Sequence, residues 1–247
     1  MNLDALKRNP ERDLGGAGPL KSDEVNLRDR IRILHGLTEE HIDDVVRLYD
    51  LAFRQKLALA IPRTEDRLAL FRKTFSRSSC IRAELSDRII GVVGYQLNAE
   101  SFTGGLTGDG VSWRALREQM GLNRAIRAFI VFTLFRRSVP SNTLLLDGIA
   151  VKESHRNQGI GSRLLESAVA FAAEKGFEKV RLNVIGTNHR AKALYERKGF
   201  VVRATRYFLY LHWLFGFSKS YEMHCDLPPT GGTGDRQPKT ENHGQAR

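Results

Sequence analysis

The sequence predicts a mixed α/β domain built on one β-sheet. Three observations carry this. Short apolar runs of alternating character interleave with longer stretches of helical periodicity between residues 31 and 227. A strand–helix–strand unit stands near the C-terminal side, the arrangement that places two parallel strands in one sheet. Hydrophobic residues make up 41% and charged residues 27% of the chain, which is ordinary globular usage and excludes a wholly disordered, collagen-like or coiled-coil protein.

In chain order, Ile31–Leu34 reads as a short strand. Thr38 is placed to cap a helix with Ile42, Val45, Val46, Tyr49 and Phe53 on one face. A second helix is expected over Glu65–Phe75. Ile81–Leu85 and Ile89–Leu97 flank Ser86-Asp87-Arg88 and read as a hairpin. Leu144–Val151 is a strongly apolar strand, with Gly148 as a candidate bulge. Gly159–Lys175 is a helix carrying Ile160, Leu164, Ala168 and Phe171 on one face, and Gly176 stops it. Val180, Leu182 and Val184 alternate in the next strand. Thr187 or Asn188 starts a helix that ends at Gly199, and Phe200–Ala204 and Lys219–Leu227 supply the last strands.

Two segments interrupt this order. Residues 100–142 form a long insert that opens with SFTGGLTGDG and is most apolar over Ala125–Phe135. Tyr207–Phe217, YFLYLHWLFGF, is dense in aromatics. Both read first as packing elements, with an acceptor-site wall or a lipid-facing surface as the alternative. Exposed apolar inserts would also suit a homodimer. Residues 1–28 and 228–247 lack apolar clusters and are expected to be a disordered leader and tail around a domain at 29–227.

Residues 1–30 hold six basic and six acidic side chains, and residues 228–247 hold three basic and two acidic, so ten of the eleven net positive charges sit on the body between them. A basic body favours an anionic partner, a nucleotide among them, or a soluble surface with no specific role. No zinc-finger spacing or aromatic RNA-binding pattern accompanies the charge, so nucleic acid is not expected. Two cysteines, Cys80 and Cys225, exclude a disulfide framework and read as packed thiols. Seven scattered histidines show no ligand spacing, so no metal site is expected. No apolar run reaches the ~18 residues of a membrane span, and the N-terminus has no signal-peptide core. A cytoplasmic setting is the expectation.

The chemistry concentrates in LDGIAVKESHRNQGIGSRLL, residues 146–165. An apolar strand runs into a polar turn, and Arg156-Asn157-Gln158-Gly159-Ile160-Gly161 opens a helix. Glycines there let backbone amides approach an anion, the helix N-terminus adds unpaired N–H groups, and Arg156 adds a charged fork. These are the parts of a pyrophosphate cradle, although G-x-G at a helix start also occurs as a plain tight turn. One strand later comes Asn188-His-Arg-Ala-Lys-Ala-Leu-Tyr195-Glu-Arg-Lys-Gly199-Phe200.

The pairing of R-x-x-G-x-G with N-x-x-A-x-x-L-Y-x-x-x-G-F resembles the GNAT superfamily, the Gcn5-related N-acetyltransferases. The resemblance is sharp over residues 143–203. It implies a mixed central sheet whose strands splay to hold acetyl-CoA. The pantetheine arm would pair with Ile149, Ala150 and Val151, and the pyrophosphate would rest on the amides of Asn157, Gln158, Gly159, Ile160, Gly161 and Ser162, with Arg156 beside it. Asn188 caps the following helix and would touch the pantetheine. The turn departs from the family pattern with Glu153 where proline is frequent and Asn157 where glycine is frequent.

The implied reaction is acetyl transfer to an amine of a small molecule or protein, and it has two proton problems. A lysine-like amine with a pKa of ~10.4 must lose a proton, and a thiolate of pKa ~8.5 must gain one. The resemblance makes Tyr195 the acid, with a packing tyrosine as the alternative. Asp147, an isolated carboxylate in LLLDGIAV, is the candidate base, or a charge that pairs with an arginine or positions a cationic amine. Two other functions stay open at this point: a non-catalytic acyl-CoA-binding module, and a longer-chain acyltransferase at a membrane surface.

Overall fold

A computed structural model of the protein describes residues 30–97, 113–134, 140, 142–207 and 218–228. The expected leader, the tail beyond Pro228, the glycine-rich start of the insert with residues 135–139 and 141, and residues 208–217 of the aromatic segment lie outside the described residues.

Seven strands form one sheet in the order β1-β2-β3-β4-β5-β7-β6. They are β1 (Arg32–His35), β2 (Cys80–Leu85), β3 (Arg88–Gln96), β4 (Thr143–Val151), β5 (Lys179–Ile185), β6 (Val201–Tyr207) and β7 (Lys219–Asp226). The helices are α1 (Ile42–Ala60), α2 (Thr64–Thr74), α3 (Trp113–Met120), α4 (Leu122–Leu134), α5 (Ile160–Glu174) and α6 (His189–Arg197). Only β4 and β5 run parallel, because α5 is the crossover between them. The β2–β3 hairpin turns through Ser86 and Asp87, both at positive φ (50° and 57°), the backbone that a two-residue hairpin loop demands.

Strand alternation divides the core between the two faces of the sheet. On one face Ile81, Val93, Leu144, Leu146, Val180, Leu182, Val184 and Met223 pack with Ile160, Leu164 and Ala168 of α5. On the other, Cys80, Ile89, Val92 and Ala150 pack under Val45, Val46 and Tyr49 of α1 and Phe71 of α2. A buried Arg67–Asp50 pair ties α2 to α1, with Arg67 also donating to the carbonyls of Ile61 and Pro62 at 2.8 Å.

Some boundaries differ from the sequence reading. Thr38 opens a 3-10 turn at Glu39–His41 without capping the backbone, and its hydroxyl bonds Glu40 and His41 side chains instead. The described part of the insert is two helices broken at Gly121, and Ala125 and Ala128 of α4 bury against Ala60, Ile61 and Leu70. Over those residues the packing reading holds. Leu122, Ile126 and Phe129 stay exposed on the outer face of α4. Among the described residues, no helix is long and apolar enough to cross a membrane.

Candidate active site

β4 and β5 pair from Thr143↔Lys179 to Leu146↔Leu182 and then separate, although β4 continues to Val151 and β5 to Ile185. The cause is a bulge. Tyr95 of β3 faces Leu146 and Gly94 faces Gly148, so Asp147 is an extra residue with no partner position. An extra residue bends its strand and steepens the twist, which turns β4 away from β5. The sequence marks Gly148 as the bulge; the structure puts the extra residue one place earlier. Gly148 meets a different need, because a Cβ there would overlap the Phe53 ring of α1. Past the bulge, Ile149, Ala150 and Val151 remain paired to β3 on one side. Among the described residues no strand pairs with their other side, and such an edge is a template for an extended amide chain.

The turn after β4 carries the residues expected to hold an anion. Asn157 takes the left-handed conformation (φ 69°), as an asparagine can in place of glycine. Gly159 caps α5 at φ 78° and, lacking a side chain, closes none of the first amides of the helix. The N–H groups of Ile160, Gly161 and Ser162 therefore have no intrahelical partners. A Cβ on Gly161 would lie 3.7 Å from Leu194 of α6 and 4.0 Å from Ile149 and Val151, so the glycine leaves open the space where β4, α5 and α6 meet. Arg156 is half exposed at the mouth; its Nε donates to the Val151 carbonyl at 3.3 Å. Gln158 donates to the Ser154 carbonyl at 3.4 Å and stiffens the turn. An open strand edge leading to an uncapped helix start fits the amide arm and pyrophosphate of acetyl-CoA.

α6 closes the other side. Asn188 Oδ1 accepts the Ala191 N–H at 3.1 Å, so its capping role is directly visible. Seven residues on, Tyr195 is buried beside Phe200, with ring centroids 6.0 Å apart. Burial pushes its phenol up to about 12, so it keeps its proton across neutral pH. Cys80 and Cys225 are both free thiols, and burial pushes Cys80 up to about 12, which suits a packed side chain and not a nucleophile.

Asp147 faces the α1 side of the sheet. Its Oδ1 accepts from Gln96 Nε2 at 3.0 Å. Tyr49 lies near enough that its phenol is pushed well above the ordinary value, by burial first and the Asp147 charge second. Across the gap the same face is polar. Because Leu182 and Met223 belong to the α5 core, Arg181, Asn183, Glu222 and His224 point the other way. Glu222 accepts from Arg181 Nη2 at 2.7 Å and lies 3.0 Å from His224 Nε2 and 3.5 Å from Arg206. The sequence reading did not single out Gln96, Asn183 or Glu222, and it took Tyr49 as core alone. One signal was present: Gln96 and Asn183 are polar residues in the apolar strands RIIGVVGYQ and KVRLNVI.

Comparison with known proteins agrees with this geometry. A thialysine N-epsilon-acetyltransferase from Bos taurus is 39% identical over 56 residues, 23% of this chain and 33% of that protein. The chain thus spans about a third of the length of the curated relatives it matches. The fold matches a solved acetyltransferase (TM-score 0.53, 18% identity, 80% of this chain and 100% of that one). It also matches a GCN5-related N-acetyltransferase from Kribbella flavida (TM-score 0.53, 16% identity, 81% and 99%). The family model described as acetyltransferase (GNAT) family matches residues 42–200, and with β4, its turn, α5 and α6 all inside that span, this chain belongs to the GNAT family.

Proposed function

We propose that the protein is an acetyl-CoA-dependent N-acetyltransferase that modifies a primary amine of a small molecule or protein by direct attack on the thioester. The observation that carries this is the parting of β4 from β5 immediately after Leu146↔Leu182, with a carboxylate at the parting and an uncapped helix start beside it. Ile149, Ala150 and Val151 would hold the amide arm, the amides from Asn157 to Ser162 with Arg156 would hold the pyrophosphate, and Asn188 would flank the arm. Acetyl-CoA supplies an activated acyl group and a sulfur leaving group.

The chain's own residues manage the protons. Asp147, aimed by Gln96, takes the proton that an ammonium must lose before it can attack. Tyr195 Oη holds the proton that the departing sulfur needs. A phenol at about 12 is a weaker acid than a thiol of ~8.5 in water, so the transfer needs a dry site, where the thiolate also binds a proton more tightly. The ammonium gives up two protons overall. One leaves through Asp147 before attack, and the other makes good the proton Tyr195 donates.

The test is CoA release from acetyl-CoA with a panel of primary amines: L-lysine, 1,4-diaminobutane and a lysine-containing peptide. The reading requires amine-dependent CoA release with at least one of them. Acetyl-CoA binding with no release above the amine-free rate would leave a binding module.

A further inference from the structure

We infer that Asn183 anchors the acceptor: its Oδ1 takes one N–H of the amine while Asp147 takes another, which makes the site selective for primary amines. This rests on the acetyltransferase reading above. Asn183 Oδ1 is buried and has no hydrogen-bond partner among the described residues. Leaving such an atom unsatisfied is costly, and groups of this kind in folded proteins call for an occupant. Its position names one. Asp147 and Asn183 are the residues that follow the last β4–β5 pair, one on each arm of the splay, and both face the α1 side.

The spacing suits a single nitrogen. Neighbouring strands lie ~4.8 Å apart, and the arms diverge from there. A nitrogen bonded to an oxygen on each side at ~2.9 Å spans up to ~5.8 Å. Glu222, opposite Asn183 in β7, is already engaged by Arg181 at 2.7 Å and by His224 at 3.0 Å. It therefore acts as a wall of the site and not as a second proton acceptor.

The chemistry supplies the selectivity. An alkylammonium that loses one proton to Asp147 keeps two N–H groups and gains a lone pair. Holding both N–H groups from the carboxylate and amide side turns the lone pair into the gap. The nitrogen–acyl carbon bond forms as the carbon–sulfur bond breaks. Once the first proton has passed to solvent, the Asp147 carboxylate takes the second N–H proton, which by way of solvent replaces the one Tyr195 gave to the sulfur, and the N–H on Asn183 is the one that the amide product keeps. Asparagine suits this task because it accepts a hydrogen bond yet takes no proton at neutral pH. A secondary amine has one N–H after deprotonation and must lose it, so its methyl group would fall on Asn183 Oδ1.

The experiment compares L-lysine, 1,4-diaminobutane and a lysine-containing peptide, each with its N-methyl counterpart, on the full chain and on Asn183→Leu and Asn183→Asp. The parent protein should prefer the primary amine by about a hundredfold or more in kcat/KM. Asn183→Leu should lower kcat/KM for primary amines about ten- to a hundredfold, the worth of one such hydrogen bond, and shrink the preference to a few-fold. Calorimetry of the primary amine with CoA present should show about tenfold weaker binding in that variant. Acetyl-CoA affinity, unchanged in all three proteins, reports that they are folded. Asn183→Asp keeps the accepting oxygen and should keep the preference. An unchanged preference in Asn183→Leu, or a parent that acetylates N-methyl amines equally well, overturns the Asn183 assignment and leaves the acetyltransferase reading standing. No CoA release with any amine overturns both.

Discussion

The two sides of the β4–β5 gap are built in opposite ways. The proposed cofactor side is a contiguous run, Ile149 to Ser162, and the atoms it would use are mostly backbone amides presented by a strand edge and a helix start. The proposed acceptor side gathers Tyr49 from α1, Gln96 from β3, Asp147 from β4, Asn183 from β5 and Glu222 from β7, and the atoms it would use are all side-chain atoms. Backbone recognition constrains only where glycine or an asparagine-like residue must stand. On the proposed reading, recognition of the donor rests on the backbone of the fold, whereas recognition of the acceptor rests on this chain's side chains.

Breaking the proton chemistry between the two sides should have the largest effect. Tyr195→Phe keeps the buried ring beside Phe200 and removes the donor, so kcat should fall ~10²–10⁴-fold while acetyl-CoA affinity holds. Asp147→Asn keeps the shape, removes the proton acceptor and should lower kcat within the same range, read by steady-state kinetics. The two losses serve one reaction and need not add. Full turnover in Tyr195→Phe would make the tyrosine a packing residue and leave the acid to another group.

Gly161→Val strikes the cofactor side alone. The nearest atoms to a new Cβ are at ordinary contact distance, so the protein should fold with its melting temperature little changed. The larger side chain fills the space the cradle leaves open and should weaken acetyl-CoA binding by about 2 kcal/mol, measured calorimetrically. Unchanged affinity would remove the pyrophosphate from this turn.

The smallest effect belongs to Arg156→Ala. Half exposed and screened by solvent, Arg156 should contribute about 1 kcal/mol to acetyl-CoA binding, and less as salt is raised. Tyr195 also has a readout in stability at alkaline pH. Its folded value near 12 exceeds the ordinary 10, so the stability it contributes is complete below about pH 10 and is lost as pH rises toward 12. Alkaline denaturation of the parent against Tyr195→Phe should show the parent losing more stability across that window.

Outside the insert, the order of strands and helices, the turn from Arg156 to Gly161 and the helix start at Asn188 were legible in the sequence, because each depends on residues within one or two turns of the chain. It also marked Asp147 as an outlier in an apolar strand. Only the tertiary structure decided what Asp147 does there. The bulge is a count of residues on β4 against residues on β3, some fifty positions away, and no local pattern carries that count. The same register moved the bulge off Gly148, whose missing side chain answers to Phe53 on a distant helix. It also brought Gln96, Asn183 and Glu222 to one face, since a strand side chain's direction is set by alternation but its neighbours are set by pairing.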